Sequence, residues 1–173
     1  TTQNLYVHQT GTISTLRILQ NIHDGLVTTD QNLNIIPELA KSYSLSDDGL
    51  TYTFKLRNDV LFHDGSKMTA ADVKYSFETI INPDTGAVNK PVFNSVAAIE
   101  TPDDYTVKIR MNQINAPFLG RLAALGAGAI IPKGSADIQG ETPIGAGPSK
   151  FVRRELGNEV ELERFDEYWN GAS

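Results

Sequence analysis

Residues 46–73 read SDDGLTYTFKLRNDVLFHDGSKMTAADV, and this stretch decides the fold. Leu50, Tyr52, Phe54 and Leu56 alternate with Thr51, Thr53, Lys55 and Arg57. A strand sends successive side chains to opposite faces, so the run predicts a strand with one apolar and one wet face. Asp47-Asp48-Gly49 supplies a turn before it, and His63-Asp64-Gly65 closes the segment at residues 60–62. Thr69 then offers a helix N-cap with Asp72 three residues on, ahead of Val73, Phe77, Ile80 and Ile81.

The flanking sequence extends this pattern. Residues 14–24 predict a helix with Ile18, Leu19 and Ile22 on one face and Gly25 as its stop. Residues 30–34 form a polar turn, and residues 37–40 lead towards the strand just described. After the helix at 70–81, Asn82-Pro83-Asp84-Thr85-Gly86 breaks the chain. Residues 96–100 and 105–111 flank Pro102-Asp103-Asp104 as a hairpin. Asn115 caps an expected helix through Leu125, with Pro117 tolerated in its first turn. Residues 140–147 make a Gly/Pro-rich crossing, and residues 151–155 and 160–165 form a second hairpin around Gly157-Asn158. Hairpins mixed with single helices predict an α+β fold with mixed sheets.

Composition narrows the function classes. Fifteen Lys+Arg against 21 Asp+Glu give a net charge of −6, which removes the electrostatic term that nucleic-acid binding needs. There is no Cys, hence no disulfide frame and no thiolate metal site. This suits an oxidising compartment. The start Thr1-Thr2-Gln3-Asn4 lacks an initiating Met and is expected to be processed or trimmed. The weakly polar run at 122–132 is too short to span a bilayer and is broken by Gly126 and Gly128.

Several motifs invite chemistry and resolve to structure. Asp30-x-Asn32-x-Asn34 begins like a calcium loop, but Ile35 replaces the required Gly and Lys41 the bidentate Glu, so a turn is favoured. Gly145-Ala146-Gly147-Pro148-Ser149-Lys150 lacks phosphate-loop spacing, and Pro148 removes an N–H; a tight backbone crossing is favoured. His8, His23 and His63 have no metal spacing. His63 reads as a turn residue bonded to its neighbours, and His23 as a helix-end residue where partial positive charge is favourable. Asp47-Asp48 and Asp103-Asp104 read as turn carboxylates. No nucleophile elbow or Ser-His-Asp pattern is apparent, so no enzyme is predicted and no catalytic residue is assigned.

The ordered strings carry a resemblance. Residues 47–57 with Phe62-His63-Asp64-Gly65 and Thr69-Ala70-x-Asp72-Val73 closely resemble the bacterial extracellular solute-binding proteins of family 5. These are the peptide and nickel receptors of ABC importers. Residues 21–27 with 37–40 agree in order, as do Asn115-Ala116-Pro117-Phe118 and Ile131-Pro132-Lys133. Residues 143–148 and 162–169 match the family further on. Ala146 and Ser149 depart from the family's usual threonine and aromatic, which bears on packing or ligand contact there. Family members are much longer: this chain resembles their N-terminal portion, lacks their first strand and stops where their third lobe would begin.

The resemblance implies a type II periplasmic-binding-protein-like fold. Residues 25–133 would form the smaller inserted domain, and residues 1–24 and 134–173 parts of the ligand-binding lobe. It implies an extracytoplasmic receptor, periplasmic or a cell-surface lipoprotein, that captures short peptides and delivers them to a membrane permease. Nickel-chelate capture is the alternative within the family, and an interaction module joined through open sheet edges the alternative outside it. Ligand contacts are expected at Gly11, Thr12 and Ile13, then at Leu125, Gly126 and Ala127, and at His8, which precedes the cleft-lining segment. No metal ligand or cofactor is expected. Unpaired edges of the partial lobe predict self-association, and the reading frame is expected to continue past Ser173.

Overall fold

The computed structural model describes residues 4–124, 126–155 and 159–171. Helix α1 (Ile13–Leu19) is followed by β1 (Val27–Thr29), β2 (Ile35–Pro37), β3 (Ala40–Leu45) and β4 (Thr51–Leu56). Helix α2 (Ala70–Ile81) leads through two short 3-10 turns to β5 (Val96–Asp103) and β6 (Thr106–Met111). Helix α3 (Phe118–Leu122) precedes the hairpin strands β7 (Ser149–Glu155) and β8 (Glu159–Arg164). The expected hairpin turn at Gly157-Asn158 lies outside the described residues.

The alternating run becomes the inner strand β4 of an antiparallel sheet ordered β3-β4-β6-β5. Tyr52 pairs with Ile109 and Phe54 with Val107, so apolar residues meet on one face. Phe54, Leu56, Val107 and Ile109 are buried under α2, whose Val73, Phe77 and Ile80 point inward. Each such side chain contributes about 1.5–3 kcal/mol relative to exposure. An aromatic chain runs through this core: Phe77 to Phe93 at 5.1 Å, Phe93 to Phe118 at 6.1 Å and Phe118 to Tyr52 at 5.3 Å between ring centroids. The capping box on α2 forms as expected, with Thr69 Oγ1 accepting from Ala71 N–H and Asp72 Oδ2 from Thr69 N–H at 2.8 Å.

Other elements differ from expectation. Helix α1 ends at Leu19 rather than continuing to Asp24. Gly25 instead forms a bridge with Ala129, and Ile130 N–H donates to Asp24 O at 3.1 Å. Helix α3 begins at Phe118, with Pro117 at its N-cap and no side-chain cap; Asn115 Nδ2 donates to Ser95 Oγ instead. Gly120 weakens the interior of this helix and Gly126 has φ of +77°, which together keep it to five residues. The hairpin turn of β5–β6 falls after Asp103, whose carboxylate accepts from Tyr105 N–H at 2.9 Å.

A second buried cluster lies apart from the sheet core. Leu5, Val7, Leu19, Ile22, Ala129 and Ile131 form it, with Phe151, Val160 and Leu162 packed against it. The chain passes between the clusters near residues 24–26 and 127–131.

Candidate functional site

The site is organised by a backbone crossing. Gly147 N–H donates to Ile22 O at 2.8 Å, and Ser149 N–H to Asn21 O at 2.8 Å. A Cβ on Gly147 would lie 2.6 Å from the Ile22 carbonyl carbon, and one on Gly145 would lie 2.3 Å from Ile22 O. Only glycine permits this approach. The Gly145-Ala146-Gly147 segment is thus a structural crossing, as its sequence predicted, with Ala146 fully buried inside it.

Two histidines lie beside this crossing, and their surroundings differ from what the local sequence suggests. His63 lies in the expected turn, but its ring bonds distant backbone rather than its neighbours. Its Nε2–H donates to Gly147 O at 2.9 Å, its Nδ1 accepts from Gly145 N–H, and its ring meets Phe165 edge-on at 4.7 Å. His23 does not carry the positive charge expected of a helix end. The helix stops four residues earlier, and burial holds the His23 pKa well below the ordinary value, with His8 and His63 nearby reinforcing this. Among the described residues, neither ring nitrogen of His23 has a hydrogen-bond partner.

Asp24 and Glu38 are the carboxylates of this passage. Asp24 Oδ2 accepts from Tyr168 O–H and from Trp169 Nε1–H, each at 2.8 Å, which ties residues 144 and 145 positions away back to the crossing. Arg57 stacks over the Trp169 ring at 4.5 Å while pairing with Asp59. Glu38 Oε1 accepts from Gly25 N–H at 2.8 Å. Burial first, then the charge of Asp24, pushes the Glu38 carboxyl up to about 8. Burial also raises Asp24, opposed by its bonds from Trp169 and Tyr168.

Both carboxylates line a cavity of about 160 Å³, together with Gln20, His23, Thr28 and Gly126. Of the residues expected to contact ligand, Gly126 reaches this cavity; its positive φ and a Leu16 methyl 2.7 Å from its Cβ position require glycine. Ala127 lies in the sheet core instead. Leu125 lies outside the described residues. Gly11 and Thr12 are exposed, and Ile13 exposes 66% of its surface at the start of α1. His8 is 1% exposed, and its Nε2–H donates to Ala129 O at 2.9 Å. Burial lowers its pKa to about 4, so it joins residues 8 and 129 as a neutral group.

Sequence reading missed Gln20, His23, Asp24, Thr28 and Glu38 as neighbours. Asp24 and Tyr168-Trp169 each stand in strings that resemble the family, yet no spacing connects positions so far apart. Among the described residues, no group of three His, Cys, Asp or Glu side chains is placed to hold a metal ion.

A small carboxylate-lined cavity is thus set against a fixed backbone crossing at the seam of two buried clusters. The chain belongs to the bacterial extracellular solute-binding proteins, family 5, whose middle-region profile matches residues 34–173. It is a non-enzymatic family associated with ABC transport. The chain is 36% identical over 158 residues to the glutathione-binding protein of Pectobacterium atrosepticum, covering 90% of this chain and 31% of that protein. Its fold superimposes with a TM-score of 0.90 and 35% identity on a binding protein in complex with agropinic acid from A. tumefaciens R10, covering 98% of this chain and 35% of that one. It matches the oligopeptide-binding protein of Bacillus subtilis in complex with a nonapeptide at a TM-score of 0.86 and 28% identity, covering 99% of this chain and 35% of that one. The chain therefore spans about a third of the relatives it matches.

Proposed function

We propose that this chain is part of an extracytoplasmic receptor that captures short peptides or peptide-like solutes and hands them to an ABC-transporter permease. The observation that carries this reading is the family match over residues 34–173, joined to relatives that bind glutathione and a nonapeptide. Residues 25–133 would be the inserted smaller domain and the outer residues parts of the ligand-binding lobe. Most of the sheet-core cluster falls within residues 25–133, which supports that division, while Ala146, Ile144 and Trp169 pack onto it and Ala129 and Ile131 join the second cluster.

Exposed Gly11 and Thr12 would offer backbone groups to an extended ligand, with Ile13 as apolar contact. Closure would follow from a ligand touching both sides of the cleft, since only a difference in affinity between open and closed forms can shift their populations. Charged groups that fix peptide termini would come from the two thirds of the relatives' length that this chain does not span. Among the described residues, no helix is long and apolar enough to cross a membrane.

Calorimetry of glutathione, a dipeptide and a tetrapeptide against this chain and against the full reading frame tests the reading. Saturable heats for the longer protein, with weak or no heats for this chain, are expected. Nickel–histidine binding by the longer protein without peptide binding would overturn the peptide assignment.

A further inference from the structure

We infer that the cavity between α1 and the stretches 122–124 and 126–129 is a subsite for an organic cation, a guanidinium or ammonium group, received by Asp24 and Glu38. This deepens the receptor reading by naming the ligand group the cavity takes, and it rests on that reading only for the cavity's access to solute. Three observations carry it.

First, two carboxyl groups face one small cavity with acceptor capacity left over. Asp24 Oδ2 and Glu38 Oε1 are engaged by the protein, but among the described residues Asp24 Oδ1 and Glu38 Oε2 accept no hydrogen bond. A cation is the strongest kind of donor that a ligand could bring to such an oxygen. Second, no ion pair reaches either group among the described residues. The ion pairs present are exposed and lie elsewhere: Arg57 with Asp59, Lys150 with Glu163, Arg153 with Glu155 and Glu161, and Arg164 with Asp166. The guanidinium of Arg57, stacked on the Trp169 that bonds Asp24, is committed to Asp59 and to that ring face. Third, buried His23 lines the same cavity, and among the described residues its Nε2 has no partner. A neutral imidazole so placed lacks a hydrogen bond that a bound N–H group or its associated water would provide.

The remaining walls fit an organic cation rather than a metal ion. Val7, Leu16, Leu19 and Leu122 supply apolar surface against which an alkyl stem can lie, and Thr28 adds a polar rim. A metal would need a third protein ligand, which the described residues do not place there.

Ligand entry is linked to protons. The groups facing Glu38 are Asp24 and, through its bond to Asp24, Tyr168, while His23 and His8 behind them stay neutral. With the Glu38 carboxyl at about 8, a cation that prefers the carboxylate binds about tenfold tighter at pH 9 than at pH 7.

The test is an amide NMR titration of this chain with ethylguanidinium chloride at pH 7 and pH 9, with ethylurea as the uncharged isostere. Saturable shifts at Gly25, Thr28 and Gly126, about tenfold tighter at pH 9 and absent with ethylurea, are expected. Glu38→Gln keeps an oxygen for the Gly25 N–H, so it should leave the spectrum folded while weakening binding and abolishing its pH dependence. Equal shifts with ethylurea, no saturable shift at 50-fold excess, or an unchanged pH profile in Glu38→Gln would each overturn the inference. A full-length protein that binds glutathione, paired with a chain that ignores ethylguanidinium, loses the subsite and keeps the receptor. Ethylguanidinium binding here, with no peptide binding by the longer protein, does the reverse.

Discussion

Replacing Gly147 by alanine should be among the most damaging single-methyl changes in this chain, for a purely steric reason. Gly147 does not have a positive φ, so its backbone conformation is open to any residue. Its Cβ would nevertheless meet Ile22 C at 2.6 Å, Ile22 O at 2.7 Å and Asn21 O at 2.8 Å. All three are backbone atoms, so relief requires the two chains to separate by roughly 0.7 Å to reach ordinary contact, an overpacking cost of about 1–3 kcal/mol. That movement stretches the bonds that define the crossing: Gly147 N–H to Ile22 O, Ser149 N–H to Asn21 O and His63 Nε2–H to Gly147 O. Each contributes about 1 kcal/mol net. The total expected loss, if all three bonds go, is about 4–6 kcal/mol, read from urea unfolding followed by the fluorescence of Trp169, the single tryptophan. Gly11→Ala is the control, because nothing lies within 4 Å of its Cβ position, and it should change stability by less than about 0.5 kcal/mol. A Gly147→Ala loss as small as the control's would refute the claim that this crossing is held by contact between backbones.

Three further outcomes follow from the same geometry. Ser76 Oγ accepts from Ile131 N–H at 2.8 Å inside the core, so Ser76→Ala orphans a buried donor and should lower stability by about 1–3 kcal/mol in chemical denaturation. The Glu38 carboxyl is raised from 4.5 to about 8, so the folded state holds this proton more tightly than the unfolded chain. Its contribution is complete below pH 4.5 and is lost as pH rises through 8, up to about 5 kcal/mol; Glu38→Gln should flatten the stability profile across that window. Tyr168→Phe removes one of the two donors to Asp24 Oδ2 and should cost about 1–2 kcal/mol, with the near-ultraviolet signal of Trp169 changing in step.

The parts of this fold legible in sequence are those whose partners are near in the chain. Strand β4 announces itself through strict alternation, and α2 through a cap and its reciprocal carboxylate three residues later. Strand β3 escaped notice because Lys41, Ser42 and Ser44 are exposed on an edge and carry no apolar alternation. Helix α3 was read too long, since its composition does not reveal that Gly126 must turn left-handed over Leu16. The site was the least legible. His63 binds residues more than 80 positions away, His8 one 121 away, and Asp24 two that lie 144 and 145 away. Local rules assign such residues to turns and helix ends because those are the only partners within their reach.

The Asp72 carboxylate has a kinetic consequence. One oxygen caps α2 through Thr69 N–H, and the other accepts from Lys133 N–H at 2.8 Å. Helix ends ordinarily fray independently of the core, exchanging their first amides with solvent fastest. Here the first turn cannot open without also freeing the segment that carries Ile131 and Lys133. Those amides should therefore exchange with deuterium at one shared rate, so that α2 opens from its C-terminal end alone.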